Sequence, residues 1–158
     1  MVRGHKIKLI VYDFDGVMTD NKVYVDQNGK EMVQVNRADG LGVSAIKKLG
    51  IKQIIISTEK NPVVSKRAIK LGIPCLQGIN NKKTVLIDYC NKNNIDLDLV
   101  AFVGNDINDK DAMKISAVTF CPADAQESIK LIANYELTKG GHGVIRELLE
   151  VLTNGIGE

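Results

Sequence analysis

Short apolar runs alternate with stretches of helical periodicity along this chain. Ile7–Tyr12 (IKLIVY) is rich in β-branched residues and runs into Asp-Phe-Asp-Gly, the pattern of a buried strand ending in a turn. Asp13 is therefore expected at the carboxyl end of that strand. Val23–Val25 and Met32–Val35 flank Asp26-Gln27-Asn28-Gly29, and Asn-Gly between apolar strands is the strongest short hairpin signal, so a projecting β-hairpin is expected. From Leu41 to Leu49 apolar residues recur near helical spacing, and Gly50 suits the position just past a helix end. Ile51–Ile56 reads as a second core strand. Asn61 can cap a helix with Pro62 in its first turn, which runs to Leu71 before Gly72 stops it. A short strand follows, and a third helix covers Lys83–Asn93. Leu99–Val103 and Ala117–Phe120 are further strands, separated by the acidic loop Gly104–Asp109 and a short helix ending near Ser116. Such alternation predicts an α/β fold: a mostly parallel sheet with helices on both faces, binding ligands beyond the carboxyl ends of its strands. With 158 residues and no linker or repeat, one domain spanning 1–158 is expected.

The polar residues at those strand ends carry candidate chemistry. Asp13 and Asp15 lie two positions apart, and the strand period of two would point both carboxylates the same way. Like charges so close call for a cation. An oxygen-seeking divalent ion such as Mg²⁺ would supply it, leaving one carboxylate to attack phosphorus and the other to handle a proton. Asp-x-Asp-Gly also reads as a plain polar turn. Gly104-Asn105-Asp106-Ile107-Asn108-Asp109 offers several hard oxygen ligands after another strand, and equally a helix-capping loop. Ser57 ends a strand where its hydroxyl could meet a phosphate oxygen, and Lys82, beside Asn80 and Asn81, could neutralise that phosphate. Turn and surface roles remain open for both.

Taken in order, Asp13-Phe14-Asp15-Gly16-Val17-Met18-Thr19-Asp20, Ser57, Lys82 and Gly104–Asp109 resemble the four motifs of the haloacid dehalogenase superfamily. The resemblance spans about Ile7 to Leu148 and implies a Rossmann-like fold. It also implies Asp13 as nucleophile, Asp15 as general acid and base, Ser57 and Lys82 as phosphate ligands, and Mg²⁺ held by Asp13, Asp15 and either Asn105 or Asp106. Neither gap between the motifs has room for a cap domain. The chain is thus similar to the capless branch that includes 3-deoxy-D-manno-octulosonate 8-phosphate phosphatases and their sialic-acid-type relatives, as is Gly140-Gly141-His142-Gly143-Val144-Ile145-Arg146-Glu147. That branch forms tetramers through the hairpin, with a neighbouring subunit covering each site, which implies a homotetramer here. Two departures bear on the substrate. Thr58-Glu59 replaces the usual Gly-Arg after the second motif, with Arg67 and Lys70 on the next helix, and Asn105 stands where the branch commonly has Asp. Glu59, Arg67 and Lys70 are more like the relatives acting on nine-carbon ulosonate 9-phosphates. That class is the first expected substrate, with the eight-carbon 8-phosphate as the alternative. A non-catalytic tetramerisation or regulatory module of a sialic-acid-activating system is the rival from another class, and retention of both Asp13 and Asp15 argues against it.

Charge and composition exclude more than they assign. Twenty-one basic against nineteen acidic residues leave a net charge of +2, with no Lys or Arg stripe for nucleic acid or membrane. Cys75, Cys90 and Cys121 are odd in number and far apart, as expected of buried thiols in a reducing compartment. Met1–Lys8 is short and charged, unlike a secretory leader, so a cytoplasmic location is expected. His5 reads as tail and His142 as loop structure; the chemistry needs neither.

Overall fold

The computed structural model describes residues 6–154, so His5 lies outside the described residues. Six strands form one parallel sheet: β1 (Leu9–Tyr12), β4 (Lys52–Ile56), β5 (Cys75–Leu76), β6 (Val100–Val103), β7 (Val118–Pro122) and β8 (Tyr135–Leu137), in the order β5-β4-β1-β6-β7-β8. From β1 the chain steps outward to β4 and β5, then crosses back to β6 on the other flank of β1. The order reverses between β1 and β6, and neighbouring loops that leave in opposite directions open a crevice at the carboxyl ends of those two strands.

Every residue of β1 and β6 is buried, because a parallel sheet covered on both faces leaves no wet side. Alternation then sorts side chains between two cores. Ile10 and Tyr12 pack with α1 (Arg37–Lys48), α2 (Val63–Leu71) and α6 (Val144–Asn154) through Val43, Ile46, Ala68 and Leu148. Leu9 and Val11 face the core shared with α3 (Lys82–Asn93), α4 (Lys110–Lys114) and α5 (Glu127–Lys130), which supply Leu86, Met113 and Ile129. The expected α/β architecture is present, and so is the projecting hairpin, β2 (Tyr24–Val25) with β3 (Glu31–Met32).

Several boundaries move for identifiable reasons. The hairpin strands are shorter than Val23–Val25 and Met32–Val35 suggest, since Val33 and Val35 turn toward the main core and Val35 bridges to Thr19. Helix α1 starts at Arg37 rather than near Leu41, because the Asn36 side chain accepts the Ala38 N–H at 2.9 Å. Helix α3 includes Lys82 as its first residue, with the Asn81 side chain accepting the Thr84 N–H at 3.0 Å. The pattern assigns no element beyond Phe120, yet α5, β8 and α6 complete the fold there. Asp39 ties α6 down: its Oδ1 accepts the N–H groups of Ile145 (3.1 Å) and Arg146 (3.3 Å) at the positive end of that helix. Burial pushes the Asp39 carboxyl up to about 6 against the lowering effect of those bonds and of Arg67. Among the described residues no helix is long and apolar enough to cross a membrane.

Candidate active site

Asp13 is the first residue beyond β1, anchored by its own N–H donating to the Val103 carbonyl at 3.0 Å. Its Oδ1 accepts the Phe14 N–H at 2.7 Å and lies 3.0 Å from Lys82 Nζ. Lys82 is 2% exposed and also donates to Asp109 Oδ1 at 2.7 Å. The other oxygen of Asp109 accepts the N–H groups of Asn105 (2.9 Å) and Asp106 (3.3 Å). One ammonium thus joins two buried carboxylates drawn from β1 and from the loop after β6. Burial pulls the Lys82 pKa down, but Asp13 and Asp109 outweigh it and hold the group above its ordinary value. The Asp13 carboxyl is held well above its ordinary value, by burial first and then by Asp109, with Lys82 opposing. With both carboxylates ionised, one lysine leaves the cluster a negative charge over, which a bound cation would offset.

Asp15 reaches the same cavity by a different route from the one that strand periodicity suggests. Strand β1 stops at Tyr12, and the residues after Asp13 form a turn in which Gly16 has φ +84°. A Cβ on Gly16 would sit 2.0 Å from Asn105 Nδ2, so only glycine lets the Asn105 side chain lie across this turn. The glycine loop before α6 locks the turn from the other side: a Cβ on Gly140 would lie 2.1 Å from the Gly16 carbonyl oxygen, and Asp124 Oδ1 accepts the Gly140 N–H at 2.9 Å. Asp15 is half-buried, and burial followed by the nearby charge of Glu59 and Glu31 raises its pKa despite Lys82.

Among the described residues there is no metal-type cluster of three or more His, Cys, Asp or Glu side chains. The donors that do converge are a carboxylate, a carbonyl and an amide. One end of the Asn105 amide lies 2.8 Å from Asp13 Oδ2 and 3.1 Å from the Asp15 carbonyl oxygen. With nitrogen at that end, it donates to both. With oxygen there, it stands about 3 Å from each of the other two oxygens, the edge length set by Mg–O bonds of about 2.1 Å at right angles. The donor set fits a small hard cation. Asp106 is occupied otherwise, its Oδ1 accepting the Ile107 N–H at 2.6 Å as the cap of the 3₁₀ turn Ile107–Asp109.

These groups border a cavity of about 390 Å³, with Asp13, Asp15, Asn105 and Asp106 toward the interior and Asn21, Thr58, Ile107 and Asn108 at its exposed end. Ser57 is buried at the end of β4, where its hydroxyl oxygen accepts the Glu59 N–H at 3.1 Å and keeps its own hydrogen to donate. Of the residues expected at the substrate, Glu59 curls back to accept the N–H groups of Lys60 and Asn61, both at 2.9 Å. Arg67 and Lys70 lie outside this cavity, on a crevice of about 590 Å³ shared with Val35, Arg37, Gly40 and Leu41. That crevice is larger but is lined by no carboxylate, whereas the smaller one is lined by Asp13, Asp15 and Asp106. Asp109 is the site residue that motif reading passed over. Its Asp-x-x-Asp spacing from Asp106 is a capping-box signal, which marks a loop rather than a lysine's partner.

No family model matches the chain. The 3-deoxy-D-manno-octulosonate 8-phosphate phosphatase KdsC of Escherichia coli (strain B / BL21-DE3) is 34% identical over 155 residues, covering 96% of this chain and 82% of that protein. The chain belongs to the KdsC-like phosphatases of the haloacid dehalogenase superfamily. Solved KdsC-like structures agree with its backbone. The 3-deoxy-D-manno-octulosonate 8-phosphate phosphatase of Moraxella catarrhalis, in complex with magnesium, phosphate and the octulosonate, superposes with a TM-score of 0.90 at 31% identity, covering 95% of this chain and 87% of that one. The cobalt-bound phosphatase of Haemophilus influenzae gives 0.89 at 28% identity, covering 95% and 89%. The Rossmann-like sheet without a cap that the resemblance implies is the one observed.

Proposed function

We propose that this KdsC-like chain is a Mg²⁺-dependent, one-domain phosphatase that hydrolyses an acidic sugar phosphate through an aspartyl-phosphate on Asp13. The observation that carries the reading is the convergence of Asp13 Oδ2, the Asp15 carbonyl and the Asn105 amide beside the Lys82 ammonium, all at the sheet's switch point. A bound Mg²⁺ would be held by those three oxygens and would neutralise charge on the phosphoryl group. An Asp13 oxygen attacks phosphorus, the ester bond breaks, and Asp15 gives its proton to the departing sugar oxygen. Its raised pKa suits a carboxyl that must hold that proton. Asp15 then takes a proton from water, which attacks the phospho-aspartate and releases phosphate. Lys82 and the Ser57 hydroxyl stand ready for the phosphate oxygens.

Two observations bear on which sugar is used. The relatives named above act on the eight-carbon 8-phosphate, which makes it the best-supported substrate. Glu59 lies near enough to Asp15 to raise its pKa, which keeps a nine-carbon 9-phosphate as the second reading, with Glu59, Arg67 and Lys70 as substrate ligands at a subunit boundary. Tyr24 (72% exposed), Val25 and Met32 on the hairpin are apolar and uncovered. A lone two-stranded ribbon buries such residues poorly, so pairing of hairpins in a homotetramer supplies both their cover and a wall for the site. Assaying purified protein with both ulosonate phosphates, with Mg²⁺ and after chelation, and weighing it in solution tests the whole reading. Hydrolysis confined to Mg²⁺ and fastest on an ulosonate, by a tetramer, is expected; hydrolysis indifferent to chelation refutes it.

Changing Asn105 to Asp separates the two candidate metal ligands. It sets a second carboxylate 2.8 Å from Asp13 Oδ2, which repels without a cation and attracts one more strongly. We expect a lower melting temperature in chelator, a larger Mg²⁺-induced rise, and Mg²⁺ binding tighter by about tenfold. Unaltered Mg²⁺ affinity would assign the ligand to Asp106.

A further inference from the structure

Among the described residues, two that are not glycine have positive φ, Asn21 at +69° and Asn94 at +53°. Asn94 ends α3, where a left-handed residue is the ordinary helix stop. Asn21 ends no helix. It leaves the Gly16–Asp20 turn with its N–H donating to Thr19 Oγ1 at 3.1 Å, while the next N–H, of Lys22, goes to Asp20 Oδ1 at 3.0 Å. This backbone is one that glycine adopts freely, and side chains forced into it cluster at ligand clamps. Asn21 borders the same cavity as Asp13 and Asp15, and its amide takes part in no hydrogen bond among the described residues.

Thr58 and Asn108 share that end of the cavity, 3.4 Å apart from Asn108 Nδ2 to Thr58 Oγ1. That contact leaves the Asn108 carbonyl oxygen, its second amide hydrogen and the Thr58 hydroxyl hydrogen without use. The cavity therefore changes character along its depth. Its buried end is charged, and its open end carries neutral groups that each both donate and accept, brought from the loops after β1, β4 and β6. Beside them stands the exposed side chain of Ile107, 72% accessible. Sugar hydroxyls also donate and accept, and a sugar's C–H face is apolar, so the open end matches a polyol rather than a second anion.

We propose that Asn21, Thr58 and Asn108 form a rim that reads the hydroxyl groups of the substrate and sets selectivity among phosphate esters. The proposal rests on the phosphatase reading above. Its test is the ratio of kcat/KM for 3-deoxy-D-manno-octulosonate 8-phosphate to that for p-nitrophenyl phosphate, which has no hydroxyl groups to be read. Asn21→Gly keeps the backbone conformation and the fold. It should lower the ratio about three- to tenfold, the effect of losing a neutral hydrogen bond, and Asn108→Ala should lower it in the same direction. Asn94→Gly makes the same change away from the cavity and should leave the ratio at the parent value. A parent active on both esters whose ratio is unmoved by Asn21→Gly overturns the rim alone. A parent active on neither of these esters nor on a nine-carbon ulosonate 9-phosphate overturns the phosphatase reading and the rim with it.

Discussion

Asp13→Asn is expected to lower phosphate ester turnover by about 10³-fold or more while the protein stays folded. An amide of the same shape cannot form the acyl phosphate, so the chemistry loses its nucleophile. Folding is spared for a reason visible in the structure. Ionised Asp13 is held in a buried site against Asp109, and its pKa is raised accordingly, so removing its charge relieves repulsion rather than creating it. Lys82 keeps its 2.7 Å partner in Asp109. The melting temperature should therefore hold or rise even as activity disappears. Acid-quenched reactions with labelled substrate complete the test: the parent should carry label at Asp13 and the variant none. Turnover near the parent's would remove Asp13 from the nucleophile's place.

Lys82→Met should do the opposite to stability while also abolishing activity. Methionine fills much of the same space but leaves Asp13 and Asp109 buried, adjacent and without a cation. Breaking a buried ion pair from one side costs about 3–5 kcal/mol, a fall of about 10 °C in Tm for a chain of this size. The loss has a pH signature whose sign follows from linkage. Without the opposing charge of the lysine the Asp13 carboxyl, already raised above its unfolded value, rises further, so the folded state holds more protons in that window. Stability then increases as pH falls through it. The gap between variant and parent should accordingly narrow in mild acid. Adding Asp109→Asn to Lys82→Met should recover part of the melting temperature at neutral pH and none of the activity. Equal melting of parent and Lys82→Met at neutral pH would show that the ammonium does not hold the cluster together.

Sequence by itself determined the α/β class, because all-apolar strands such as Leu9–Tyr12 and helices of helical period are local patterns. It also placed Asp13, Ser57, Lys82 and the Asn105 loop at element ends, since strands and caps announce their boundaries within a few residues. The hairpin was legible from Asn28-Gly29 for the same reason. Tertiary structure decided what those residues touch. Asp109 became the partner of Lys82 only because α3 and the loop after β6 meet across 27 residues of sequence, a pairing no local pattern encodes. The same holds for Asp39 at the start of α6, and for Gly140 against the Gly16 carbonyl, which are contacts made by α6 returning beside α1. Asp13 and Asp15 share a cavity through a glycine turn rather than through the strand pleating that their spacing suggests. That the Asn105 amide, and not the Asp106 carboxylate, lies against Asp13 and the Asp15 carbonyl depended on which side chain could lie over Gly16. Local patterns end where hydrogen bonds stop being local; the polar groups of this site are assembled from strand ends far apart in the chain, and only the sheet's reversal between β1 and β6 brings them within bonding distance.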